Sequence, residues 1–340
     1  MNNVNARPIT IDAIYTHTLG EPTCVVHGGI LFPFATDIMQ HRSYLETEYG
    51  WLRAALMQEP RGHRDMHGTI ITPPTAPGFD AGLIFLSGTS FMNACGHGTI
   101  GVSIALIETG MKKRDGKLTE LKFETTAGPV TAEVYSVGGE ESWCRYRNVP
   151  SFVEKESVPI SVPHFGDLTA DIVYCGSYFG VIDIRDLPLK IEPANSHELV
   201  KLGLSARDIL NKAVKVQHPE RPHINRIETI ALCDNLTSPE SHFRTTLIFG
   251  NGQVDRAPGG AGAAALIALR DLRGEMAVGD KIFTEGILGA GKYESEFIGV
   301  TDVAGKRATV ATIKSSAHIT GRAQWTIDPD DPIGMGFILG

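Results

Sequence analysis

No stretch of this chain approaches the roughly 20 consecutive apolar residues that a helix needs to cross a bilayer. The first residues, Met1-Asn-Asn-Val-Asn-Ala-Arg-Pro, lack the apolar centre of a secretory signal. Positive charge is in deficit, with 31 Lys and Arg against 39 Asp and Glu and a net charge of −8. That balance argues against an electrostatic grip on nucleic acid or on an anionic membrane, so neither is expected as a partner. Cysteine is scarce: five residues (Cys24, Cys95, Cys144, Cys175 and Cys233) form no Cys-x-x-Cys pair and no even set. No disulfide framework is expected, and a reduced, cytoplasmic protein is. Neither a dinucleotide-binding glycine fingerprint nor a P-loop is present.

What is there is ordinary globular composition, 42% hydrophobic over 340 residues. That length exceeds the size at which one core usually stops growing, so two domains are expected. Short strand-like segments dominate: Ile9-Thr-Ile-Asp-Ala-Ile-Tyr, Leu83-Ile-Phe-Leu, Val130-Thr-Ala-Glu-Val-Tyr, Phe243-Arg-Thr-Thr-Leu-Ile-Phe and others like them. The spacing of Ile38, Met39, Leu45, Trp51, Leu52 and Leu56 predicts one amphipathic helix over about 36–58. Further helices are expected over about 98–108, 196–215 and 260–272. The stretch 148–162, with two prolines and mixed charge, is taken as the boundary. It gives domains 1–155 and 156–325, with the extreme C-terminal segment left free to return to the first. The class is α+β, each half being strands wrapped round one buried apolar helix.

Two segments echo each other. Shifting by 164 residues lays Gly88, Gly96 and Gly98 on Gly252, Gly260 and Gly262, and lays Cys95 on Gly259. In the first segment Cys95-Gly96-His97-Gly98 stands at a strand-to-helix turn. Unpaired N–H groups and the positive end of the helix dipole there favour a thiolate. The same donors can hold a substrate carboxylate, because glycine lets it approach the backbone closely. A thiolate beside such a nest can abstract a proton α to the carboxylate, since the N–H groups stabilise the developing charge. Otherwise Cys95 is a small core residue and the glycines serve packing.

Other stations are weaker. His17-Thr-Leu-Gly-Glu-Pro-Thr23 and Glu59-Pro-Arg-Gly-His63-Arg-Asp65-Met each read as a polar turn. His63 and His67 have the i, i+4 spacing of a zinc pair, but Pro60 and Gly62 oppose a helix there, so no metal is expected. Asp255 precedes the second helix, either as a plain cap or as a carboxylate for a substrate ammonium.

Together these motifs, with Gly250-Asn-Gly-Gln-Val-Asp255-Arg-Ala-Pro and the tail Gly321-Arg-Ala-Gln-Trp, resemble the proline racemase family over nearly the whole chain. The family is similar in fold to diaminopimelate epimerase. The resemblance implies two pseudo-symmetric domains, each a β-barrel-like sheet round a central helix, with the ligand in the cleft and no cofactor. It also implies that Cys95 is the base on one substrate face and that Gly96, His97, Gly260 and Ala261 form the carboxylate nest. His97 and Asp255 become partners of the ring nitrogen. Family racemases carry a second Cys where this chain has Gly259, and the branch resembling trans-3-hydroxyproline dehydratase carries Thr there. The second acid/base position is therefore vacant, and Cys24 replaces the arginine that commonly follows Gly-Glu-Pro-Thr.

Inverting a stereocentre needs an acid and a base on opposite faces; elimination of a β-hydroxyl needs one base. The expectation is therefore dehydration of trans-3-hydroxy-L-proline to pyrroline-2-carboxylate. The alternatives are a proline racemase or 4-hydroxyproline 2-epimerase that uses a water, Cys24 or Cys175 as second acid, and a catalytically silent imino-acid binder. The expected partner is a small imino acid; a homodimer is left open.

Overall fold

Strands dominate the computed structural model, which describes residues 8–138, 140–235 and 243–339. Among them, eighteen strands join in one hydrogen-bonded network around few helices, an α+β arrangement. The α-helices are α1 (Ile38–Glu48), α2 (Gly50–Met57), α3 (Gly96–Glu108), α4 (Ser196–Ala213) and α5 (Gly260–Leu272).

The single helix expected over 36–58 is two. Asp37 caps α1 by accepting the Met39 N–H at 2.8 Å. The helix stops at Tyr49, whose φ of −126° and ψ of 21° leave the helical region, and restarts at Gly50. Apolar spacing carries through this break because both helices bury the same side, with Leu45, Leu52 and Leu56 in one cluster. Gly50, a poor helix former, marks the junction.

α3 and α5 are the two central helices. Every residue of α3 from His97 to Ile107 is buried, as a helix enclosed on all sides requires. It packs against strands Ile9–Thr18, Glu21–Gly28, Gly128–Tyr135 and His318–Ile327. α5 packs in the same way against Phe152–Val162, Gly166–Tyr174, Lys292–Val303 and Lys306–Ser316. The last strand closes the first half, pairing antiparallel with the first strand so that Ile327 stands opposite Ile9. The stretch 148–162 contains the strand Phe152–Val162, whose buried Val158, Ile160 and Val162 alternate with exposed neighbours. Its prolines and charges mask that alternation in the sequence.

One short strand, Trp143–Arg147, pairs with Gly128–Tyr135 on one side and with Lys306–Ser316 on the other. It thereby ties the sheet round α3 to the sheet round α5. Tyr146 on this strand is 1% exposed, and its hydroxyl lies where a Cβ on either Gly96 or Gly260 would project. The first residues of both helices must therefore be glycine for the two N-termini to meet over this ring. A Cβ on Gly96 would also fall 3.3 Å from the Gly260 Cα, so the helix ends are in direct contact.

Candidate active site

A small cavity of about 40 Å³ opens between these helix ends. Cys95, Gly96, His97, Asp255, Gly259, Gly260 and Ala261 all line it, so residues singled out separately in sequence converge on one place. Cys24 and Cys175 are not among its lining residues. Cys24 is buried in the cluster of Ile11, Leu45 and Met57. Cys175 is fully buried, with its thiol turned to the Ser177 carbonyl at 3.8 Å. All five cysteines are free.

Cys95 is the N-cap of α3, with extended backbone. Its carbonyl accepts the Thr99 N–H at 3.0 Å and the Thr99 hydroxyl at 2.8 Å, which anchors the turn. The sulfur lies 3.4 Å from His97 Nε2 and 3.6 Å from Nδ1, and a Cβ on Gly98 would come within 2.9 Å of it. Helix-end donation is present, because the Gly98 N–H reaches the sulfur and favours thiolate. Burial wins nevertheless and pushes the thiol up, favouring a thiol over the thiolate that the helix end alone suggests.

Gly259 caps α5 with φ of +79° and ψ of 101°, a conformation that glycine adopts without strain. A Cβ there would fall 2.5 Å from Leu247 Cδ1 and 2.7 Å from its Cγ. The room beside the missing side chain is taken by Leu247, from the strand Phe243–Phe249. Cys95 thus has an imidazole at its side, whereas the matching position on α5 has a leucine side chain against glycine.

Asp255 is 3% exposed and accepts the Ala257 N–H at 2.9 Å. Sequence reasoning did not assign its neighbours. Glu21, wholly buried, brings Oε1 to 2.8 Å from His67 Nδ1, while its Oε2 accepts the Arg256 N–H at 2.6 Å. The Glu21 and Asp255 side chains share a hydrogen bond. Arg256 pairs with Asp65 at 2.9 Å. The His67 ring stands edge-on to His97, with centroids 4.5 Å apart. Both polar turns of the sequence reading therefore feed this site, through Glu21 in the first and Asp65 and Arg256 around the second. No motif count reveals that, because Glu21 and Asp65 meet Arg256 only when the halves do. His63 instead accepts the Asp65 N–H and forms no pair with His67.

Glu21, His67 and His97 each offer a metal-ligand atom within 4.8 Å of the others. The Glu21 and His67 atoms already bind one another, so the group reads as a hydrogen-bonded network. Desolvation dominates its charges. Burial lifts Glu21 to about 8 and Asp255 well above the carboxylate range, the second also raised by the Glu21 charge. Burial depresses His67 to about 4, and takes His97 well below its ordinary value. At neutral pH burial therefore favours the neutral form of both imidazoles and of both carboxyls.

Paired glycine-fronted helix ends thus meet over a thiol and a buried acid pair, the arrangement of a candidate active site. The sequence profile described as Proline racemase matches residues 13–338, and the chain belongs to that family. It is 43% identical to a 4-hydroxyproline 2-epimerase of Cereibacter sphaeroides, over 96% of this chain and 98% of that protein. It is 41% identical to a proline racemase of Clostridioides difficile, over 97% and 98%. A trans-3-hydroxy-L-proline dehydratase of Burkholderia ambifaria is 32% identical over the same shares. The fold matches a hydroxyproline epimerase from Agrobacterium vitis with bound trans-4-hydroxy-L-proline, at TM-score 0.91 and 30% identity, covering 97% of this chain and 95% of that one. No helix among the described residues is long and apolar enough to cross a membrane.

Proposed function

We propose that this enzyme removes the α-proton of a proline-type imino acid with Cys95 alone, and dehydrates trans-3-hydroxy-L-proline. One observation carries the reading: Gly259, where a second acid would stand, has a left-handed backbone, and Leu247 fills the space beside it.

The stereochemistry of the substrate suits a site with its proton-transfer groups on one side. In a trans-3-hydroxyproline the carboxylate and hydroxyl lie on opposite faces of the ring. The α-hydrogen, opposite the carboxylate, therefore shares a face with the hydroxyl. The substrate carboxylate sits against the N–H groups of Gly96, His97, Gly260 and Ala261, and its ring ammonium faces Asp255 and His97. His97, 3.4 Å from the sulfur, takes the Cys95 thiol proton; the thiolate then takes the α-proton, the C2–C3 double bond forms, and the C3–O bond breaks. The departing hydroxide takes a proton from the thiol just formed or from the neighbouring His97, and leaves as water. The enamine product tautomerises to a pyrroline carboxylate.

Cis-3-hydroxy-L-proline distinguishes this mechanism, because its hydroxyl lies on the face away from its α-hydrogen. The trans isomer should be dehydrated and the cis isomer should exchange its α-proton without losing water, as followed by NMR of the ring protons. Equal dehydration of both isomers would refute syn elimination.

A second reading, epimerisation or racemisation, is favoured by the 43% and 41% identities to an epimerase and a racemase. It requires an acid from the second half of the chain. Ser177 and Thr229 are the hydroxyl side chains lining the cavity there.

A further inference from the structure

A buried phenol stands where the two helix ends meet. Tyr146 is 1% exposed, and its strand is paired on both sides, with Tyr146 opposite Ala132 and Ile313, which fixes the ring. Its hydroxyl lies against Gly96 and Gly260 together, since a Cβ on either glycine would overlap it and fall 3.2 Å from Cζ. Yet that hydroxyl makes no hydrogen bond to any of the described residues. Leaving a buried hydroxyl unpaired costs stability, so such a group calls for a partner.

The groups around it identify that partner. The first intrahelical bond of α3 runs from the Thr99 N–H to the Cys95 carbonyl, and that of α5 from the Ala263 N–H to the Gly259 carbonyl. The N–H groups of Gly96, His97, Gly260 and Ala261 come before these and have no acceptor within their helices. Burial pushes the Tyr146 phenol well above its ordinary range, so it stays a donor too. Donors from one strand and two helices therefore converge without an acceptor, at a point that both helix dipoles make positive. A two-oxygen anion can satisfy them together. Gly96 and Gly260 both line the cavity, and neither carries a side chain to screen the hydroxyl from a group bound there.

We propose that Tyr146 is a carboxylate-binding residue, whose hydroxyl donates a hydrogen bond to the substrate carboxylate held between the N-termini of α3 and α5. It adds one side-chain donor to a nest otherwise built from backbone. The inference rests on the reading that places the substrate carboxylate at that nest.

Tyr146→Phe keeps the ring and removes the hydroxyl alone. In α-proton exchange of L-proline in D₂O, the variant should show KM raised about tenfold or more, the loss expected for a hydrogen bond to a charged group, with the damage in KM rather than kcat. Without ligand it should melt as high as the wild type or higher, because phenylalanine leaves no buried hydroxyl unpaired. The rise in melting temperature on adding L-proline should shrink. Infrared difference spectra with ring-¹³C-labelled tyrosine give a third readout: L-proline should shift a phenolic C–O band of the wild type and leave the variant without that change. An unchanged KM, a loss confined to kcat, or no tyrosine band change would overturn the assignment. A lower ligand-free melting temperature would overturn it as well, by making the hydroxyl a structural group. Wild-type exchange with an unaffected variant removes the role of Tyr146 alone, whereas absence of both exchange and L-proline binding in the wild type refutes the function on which it rests.

Discussion

Serine in place of Cys95 should reduce α-proton exchange by on the order of 10³-fold, within the range seen when a positioned base is lost. The hydroxyl keeps the small size of the thiol but is a far weaker acid, so at neutral pH it supplies almost no anion. The surroundings should survive. Cys95 is held through its backbone, by the Thr99 N–H and hydroxyl on its carbonyl. Exchange of the α-hydrogen of L-proline in D₂O, measured by ¹H NMR alongside a thermal melt, separates lost chemistry from lost folding. An active Cys95→Ser variant would remove the thiol from the mechanism.

Cysteine at position 259 alone should fail to create a racemase and should destabilise the fold. The Cβ would overlap Leu247, an overpacking that typically costs about 1–3 kcal/mol. The left-handed backbone at φ of +79° adds roughly 1–2 kcal/mol for a residue with a side chain. Leu247→Ala in the same molecule clears the room, so Gly259→Cys with Leu247→Ala should melt higher than Gly259→Cys alone. The double variant should also form D-proline from L-proline. Thermal melts and chiral chromatography of the product check both statements. Efficient inversion by Gly259→Cys alone would mean that Leu247 does not guard that face.

Much of the site was legible in the chain because its parts sit at glycine-marked helix starts. The echo between the segments at Cys95 and Gly259 placed both helix N-termini, and their apolar continuations gave α3 and α5. The occupant of the second face was not legible: Leu247 lies on a strand, reads as an ordinary core residue, and matters only through Gly259. Glu21 and His67 were hidden because they meet only when the strands Glu21–Gly28 and His67–Thr72 pair, and reach Arg256 only across the halves. Local logic also misjudged Cys95. The helix end argues for thiolate, whereas full burial, a property of the assembled fold, keeps the resting thiol protonated. The break at Tyr49 escaped notice because the apolar periodicity runs through it.

The central claim is that proton transfer is confined to the face of Cys95 and His97, with Leu247 against Gly259 on the matching side. Incubation of L-proline with the wild-type enzyme in D₂O, with analysis of deuterium content and configuration at Cα, tests this most directly. The account predicts deuterium at Cα with the L configuration retained. Deuterated D-proline would contradict it.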